Sequence, residues 1–314
     1  MIKKKGSLKF KNPILIACWP GMGEVSLRAG LFLKDTLGFK NLAYIKNSGL
    51  FYPTGIIVNQ GIIDLPEIRE GEFYYLKTKN QDIILFLADV QPPLEKGYMM
   101  SQKIVEFAKS LKVKTIFTFA AMPAPIEHNQ PNPVWIASTS KNLLAGFNTT
   151  NAKPLNEGQI SGLNGLLVGV AKENNINGVC LLSEIPLYTI QIENPAASKA
   201  ILEVCLKYLK INTNLSVFDE KAAYINKEID KLIGYLKGEK PDAEAPLSED
   251  DIEKIKKELS SLTQIPLSIE TRIEELFKQA RTNPKISSEL KKLLDDWGLY
   301  KKYEDRFLDL FRKD

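Results

Sequence analysis

The sequence predicts an α/β protein, a three-layer sandwich around a mostly parallel sheet, continued by a C-terminal all-α helical tail. Three observations predict it. Short apolar runs alternate with helix-period segments through the first 235 residues or so. Within Gln81–Ala88, the stretch Ile83–Ala88 is continuously apolar, the pattern of a strand buried on both faces. Beyond a polar, proline-containing stretch at 239–247, the apolar spacing is helical only.

The elements follow in order. Pro13–Ala17 is a short apolar strand ended by the turn-forming Trp19-Pro20-Gly21-Met22-Gly23. Val25, Leu27, Leu31, Phe32 and Leu33 then recur with helical spacing, and Gly38 stops that helix. Leu42–Ile45 and Gly55–Asp64 read as further strands. Gln81–Ala88, a helix over Tyr98–Lys109 and the strand Val113–Ala120 make a βαβ unit. Val134–Thr139 is a short strand, Gly162–Asn174 a glycine-rich helix and Gly178–Leu182 a buried strand. Pro195–Leu209 is a helix with proline at its favoured first position. The expected domains are an α/β domain over 1–238, a linker over 239–247 and a helical domain over 248–314. Ser248–Asp251 resembles a capping box. It opens the first tail helix, Ile269–Ala280 forms a second, Asn283-Pro284 starts a third containing Trp297, and 299–311 form a fourth.

Composition narrows the function. The 314 residues are 44% hydrophobic and 25% charged, enough to bury a core without disulfides or a structural metal. The longest apolar runs fall short of a membrane span, and no apolar segment follows the basic N-terminus as in a signal peptide, so a cytoplasmic protein is expected. Cys18, Cys180 and Cys205 share no metal or redox spacing and read as buried thiols; a single histidine, His128, leaves no metal cluster. No metal, cofactor, membrane or nucleic-acid partner is expected. Net charge is +4, divided as +7 before residue 239 and −3 from there on.

In such sheets ligands bind off the carboxyl ends of the strands. The loops at Trp19–Gly23, Asp89–Pro93, Ala121–Pro133 and Ser183–Leu187 are therefore the candidate rim. The two-glycine loop reads either as an anion cradle at a helix N-terminus or as a tight packing contact. It carries no Walker lysine. Asp89 and Glu184 follow strands and read as an acid–base pair or as turn-capping carboxylates. Gln91 follows Asp89 in the same loop. Ser161 reads as an N-cap, and Asn164 lies in the helix behind it. His128 is expected to face solvent, and its loop, Pro123–Pro133, to contact a partner, cover a pocket or merely connect. The aromatic residues Tyr300, Tyr303, Phe307 and Phe311 suit a bundle core or a partner anchor.

A resemblance runs through these same residues. Pro13–Ala17 leading into Trp19–Gly23 resembles the opening of the proteasome assembly chaperone 2 family. Phe51-Tyr52-Pro53, then Leu85–Asp89 with Gln91-Pro92 and Tyr98, resemble its next motifs. Ile160–Ala171 is similar to its glycine-rich helix start. Leu181–Glu184 with Pro186 and Tyr188, and Asn194-Pro195 with Ala196, Ala197 and Ala200, follow in the family's order. The match covers roughly residues 10–225. It implies a fold similar to the phosphorylase/hydrolase type without implying that activity, although the family was once labelled ATP-grasp. Relatives dock on the proteasome α-ring through a C-terminal hydrophobic-tyrosine-any tripeptide. This chain has Lys313 at the tyrosine position, so that mode is not expected.

The resulting expectation is a non-enzymatic, protein-binding assembly chaperone acting as a homo-oligomer, possible partners being proteasome-like subunits. The alternative is an enzyme, hydrolase or ATP-using ligase, with a rim pocket drawn from Trp19, Pro20, Gly21, Met22, Gly23, Asp89, Gln91, Ser161, Asn164 and Glu184. A deep cavity joining Trp19, Asp89, Asn164 and Glu184 distinguishes the second.

Overall fold

The computed structural model describes residues 2–4, 8–46, 49–51, 56–64, 69–236, 267–283, 286–296 and 300–311. They divide into an α/β unit and a C-terminal helical unit. The strands are β1 (Ile2–Lys4), β2 (Ile14–Cys18), β3 (Lys40–Lys46), β4 (Ile57–Asn59), β5 (Ile62–Asp64), β6 (Arg69–Leu76), β7 (Ile83–Leu87), β8 (Thr115–Ala124), β9 (Val134–Ser138), β10 (Lys153–Pro154) and β11 (Asn177–Pro186). Nine of them form one sheet in the order β1-β3-β6-β7-β2-β8-β11-β9-β10.

The sheet is mixed. At its centre β2 runs parallel to both neighbours, with Ile14 opposite Ile83 of β7 and Thr115 of β8. On the flanks β1–β3, β3–β6, β6–β7 and β9–β11 are antiparallel. The expected mostly parallel pairing therefore holds for β7–β2–β8 at the centre and for the short β9–β10 pair at one edge, and not for the other flanking pairs. The reason is connection length: only the short link 77–82 joins β6 to β7, and a short link joins antiparallel neighbours, whereas parallel strands need a crossover. The crossover between β7 and β8 is the expected βαβ unit, built on α2 (Gly97–Ser110).

Alternation along β2 builds the two helical layers. Leu15, Ala17 and Trp19 join Ile84 and Phe86 in one core with α2 and with α4 (Gly162–Glu173), through Ile104, Val105, Leu163 and Leu167. Cys18 points the other way, close to Gly30 of α1 (Val25–Leu37). On that side α1 packs against α5 (Pro195–Leu209), which carries α6 (Ser216–Leu236) outside it. The start of α5 is fixed as its sequence suggests: Asn194 accepts a hydrogen bond from the Ala197 amide at 2.9 Å, with Pro195 at the first position. The short α3 (Lys141–Ala145) follows β9.

Two local expectations change. The single strand read over Gly55–Asp64 is a hairpin, β4 and β5, turning at Gln60 (φ 49°) and Gly61 (φ 82°). Positive φ at both central residues is the turn whose twist matches a two-residue hairpin. His128 does not face solvent: its side chain is nearly buried, with Nε2 2.9 Å from Asp230 Oδ1 on α6. The three cysteines are buried and free, and burial pushes the thiols of Cys18 and Cys180 up to about 12.

Asp82, at the start of β7, is buried. Burial alone raises its pKa; hydrogen bonds from Lys77 Nζ and from the amides of Lys11 and Thr78 outweigh that and leave it below the ordinary 3.8. A depressed folded value means the stabilisation is present above 3.8 and is lost as pH falls through the folded value. Asp82→Ala is expected to cost about 2–4 kcal/mol at neutral pH, because it orphans two amides. Urea titrations at pH 7 and pH 3 check this, the gap between wild type and variant narrowing in acid.

The described residues of the helical unit form α7 (Leu267–Thr282), α8 (Ser287–Asp296) and α9 (Tyr300–Leu308). Ile273, Leu276, Phe277, Leu290, Leu294 and Phe307 form its core, with Tyr300 and Tyr303 packed against them and Phe311 exposed. Arg306 grips Glu274 through both guanidinium nitrogens at 2.6 Å and lies over the Phe277 ring. The expected linker 239–247, the Ser248–Asp251 segment with the first tail helix, Pro284 and Trp297 lie outside the described residues.

Candidate functional site

The rim loops meet, although not as a catalytic constellation. Trp19 is fully buried at the end of β2 and packs edge-on against Phe86 with ring centroids 5.8 Å apart. Its Nε1 has no hydrogen-bond partner in the described structure. Pro20 offers its carbonyl to Gln91 Nε2 at 2.6 Å, which fastens the loop after β2 to the loop after β7.

The glycine loop serves packing. Gly23 is buried with φ at 61°, and a Cβ there would press on Asn194, Val25 and Ile185 at 3.3–3.4 Å. Its amide donates to the Ile190 carbonyl, its carbonyl accepts from the Asn194 amide, and the Glu24 amide donates to the Gly21 carbonyl. The amides of Gly23 and Glu24 are thus engaged by backbone. Glu24 also stands at the start of α1, where a carboxylate opposes a second anion; burial raises its pKa, against the lowering effect of Arg28. Gly21 and Met22 complete the turn without a described side-chain hydrogen bond.

Glu184 is positioned by a partner that sequence spacing did not single out. Trp135 Nε1 on β9 donates to its Oε1 at 2.7 Å, and Asn132 Nδ2 donates to its carbonyl at 2.9 Å. These contacts lock the end of β11 to β9. Asp89 is exposed at the start of the loop after β7. Asn164 is buried; its carbonyl accepts from Thr118 Oγ1 at 2.9 Å, while its Oδ1 has no described partner. Ser161 occupies the N-cap position of α4 without a side-chain capping bond.

Two of the expected residues share a groove of about 440 Å³. Gln91 and Ser161 line it together with Leu94, Ile160, Leu163 and Leu166. Trp19, Asp89, Asn164 and Glu184 do not line it. The groove is apolar, and no group of three or more metal-ligating side chains occurs among the described residues. Beside it Val90, Leu94, Tyr98 and Met99 are exposed, and so are Ile56, Ile57, Val58, Ile62 and Ile63 of the β4–β5 hairpin. The hairpin leaves the core shortly after Leu50, which is fully buried, and Lys96 Nζ reaches the Gly49 carbonyl at 2.8 Å. The aliphatic runs Ile56–Val58 and Ile62-Ile63 were visible in the sequence, but strand patterning marks apolar faces and is silent on whether the same chain covers them.

Comparison with known proteins places this architecture. An uncharacterized protein of Methanocaldococcus jannaschii is 28% identical over 262 residues, which covers 80% of this chain and 95% of that protein. The crystal structure of Pyrococcus furiosus PbaB, an archaeal proteasome activator, matches with a TM-score of 0.63 at 23% identity, over 74% of this chain and 98% of that one. Pyrococcus furiosus PbaA, an archaeal homolog of proteasome-assembly chaperone, matches with a TM-score of 0.58 at 22% identity, over 74% and 96%. Those likenesses establish a shared fold. The sequence profile of the PAC2 family matches residues 15–233, most of the chain, and the protein belongs to the PAC2 family.

Proposed function

We propose that this protein is a non-enzymatic assembly chaperone that binds protein partners, among them proteasome-like subunits, and that it also self-associates. One observation carries the reading. Most of the large apolar side chains exposed on the described α/β unit belong to two segments, Ile56–Ile63 and Val90–Met99. Ile62 and Ile63 are 66% and 64% exposed. A two-stranded hairpin with aliphatics on both faces is marginal alone in water, and a concentrated apolar patch marks a contact surface. The descriptions of PbaA and PbaB supply the class of partner.

Affinity capture from the source cells, with mass spectrometry, tests the function. The wild-type chain should enrich proteasome subunits, and Ile62→Ser/Ile63→Ser should lose at least tenfold of that enrichment. The two positions are exposed, so the variant should keep its fold within about 0.5 kcal/mol. Equal capture by both proteins, or no proteasome subunit with either, would count against the proposal.

Self-association has its own check. Light scattering on the full chain at high micromolar concentration should give a dimer or larger assembly, and a strict monomer would remove that part. Binding of ATP is not expected, since the Gly23 and Glu24 amides are already engaged. Calorimetry with ATP and magnesium should show no micromolar binding; a micromolar dissociation constant would favour the enzyme reading.

A further inference from the structure

We propose that the opposite end of the sheet, where β2, β7 and β8 begin, is a second contact surface, which docks an acidic protein segment. It lies away from the apolar rim and does not depend on it. Three segments meet there: Lys9 and Lys11 before β2, Lys77 and Lys79 before β7, and Lys112 and Lys114 before β8. The backbone holds them together. The Asp82 amide donates to the Lys11 carbonyl at 2.8 Å, the Lys114 amide donates to the Pro13 carbonyl at 2.9 Å, and Lys11 Nζ reaches the Lys79 carbonyl at 2.9 Å. Neighbouring strands are about 4.8 Å apart, so the starts of these three adjacent strands lie within about 10 Å, roughly a Debye length.

All six lysines are exposed. Segments 8–13, 77–82 and 109–114 contain one carboxylate, Asp82, which is buried and already paired with Lys77. With Lys77 paired to Asp82, the other five ammonium groups have no exposed carboxylate among them and repel each other, and a partner bearing carboxylates relieves that repulsion.

The surroundings favour an acidic protein over the other polyanions. The three segments hold no arginine, the residue whose planar fork suits phosphate. Phe10 meets Tyr75 edge-on and is covered by Lys77 at 4.3 Å, so it offers no open face on which a base can stack. Leu111 and Val113 are buried, and none of the large exposed apolar residues falls in these segments, whereas a helix or loop lying on a membrane pairs its lysines with apolar anchors.

Fluorescence anisotropy with a labelled twelve-residue glutamate-rich peptide tests the surface on the full chain. Binding at about 20 mM salt should weaken at least fivefold by about 300 mM as the charges are screened. Lys79→Glu/Lys112→Glu/Lys114→Glu should weaken it at least tenfold, and the corresponding glutamine set by a smaller factor. Lys153→Glu/Lys221→Glu/Lys227→Glu makes the same change of net charge at other exposed positions and should leave binding within twofold. Equal loss in both glutamate sets would overturn the proposal, as would no peptide binding by the wild type. A twenty-base-pair duplex or vesicles of one-third phosphatidylserine binding more tightly than the peptide, and losing that binding in the first set, would likewise overturn it.

Discussion

Trp19→Ala is expected to destabilise the α/β unit by about 3–5 kcal/mol, the range for removing a fully buried large aromatic. Trp19 has no exposed surface, closes the core at the end of β2 and packs on Phe86, itself tilted against Phe73. The cost comes from the cavity and from lost packing along that aromatic row. Trp19→Phe keeps most of the volume and removes the unpartnered Nε1, so it should cost less than about 1.5 kcal/mol. Chemical denaturation of both variants checks the pair. A large loss for alanine with little for phenylalanine assigns the residue to packing; a Trp19→Ala variant as stable as wild type would return it to ligand binding.

Phe277→Ala should unfold the helical unit while leaving the α/β unit folded. Phe277 is buried among Leu276, Leu290, Leu294 and Phe307 and lies beneath the Arg306 guanidinium. Its removal costs about 3–5 kcal/mol, and a helical unit of this size has a core supplying only about that much. Circular dichroism should show helix lost in proportion to α7, α8 and α9. Exchange-protected amides in β2, β7 and β8 should be unchanged. Simultaneous loss of protection in both units would contradict separate cores.

The sequence was most readable where one physical rule acts alone. The start of α5 combines a capping asparagine with a first-turn proline, and both act as their chemistry requires. The continuous apolar run of β7 is buried on both faces because helices cover the sheet on both sides. Strand direction on the flanks was not legible, since it depends on which strands pair: a short link sets β6 against β7, while β3 pairs with β6 across the long segment 47–68. The candidate rim was legible as a set of loops but not as a site. Spacing cannot show that Gln91 clasps Pro20, that Trp135 holds Glu184, or that Trp19 turns into the core. Nor can it show that Lys9, Lys77 and Lys114, far apart in the chain, share one end of the sheet.

A photo-crosslinking amino acid placed at position 63 of the full chain, in the source cells, tests most directly whether the apolar rim is a protein-contact surface. Ile63 is exposed at the edge of the hairpin, and position 221 on α6 serves as an exposed control. Discrete adducts of higher mass from position 63, identified by mass spectrometry as a proteasome subunit or a second copy of this chain and absent from position 221, are the predicted result. A chain that stays uncrosslinked from position 63, or that forms the same adducts from both positions, would contradict the account.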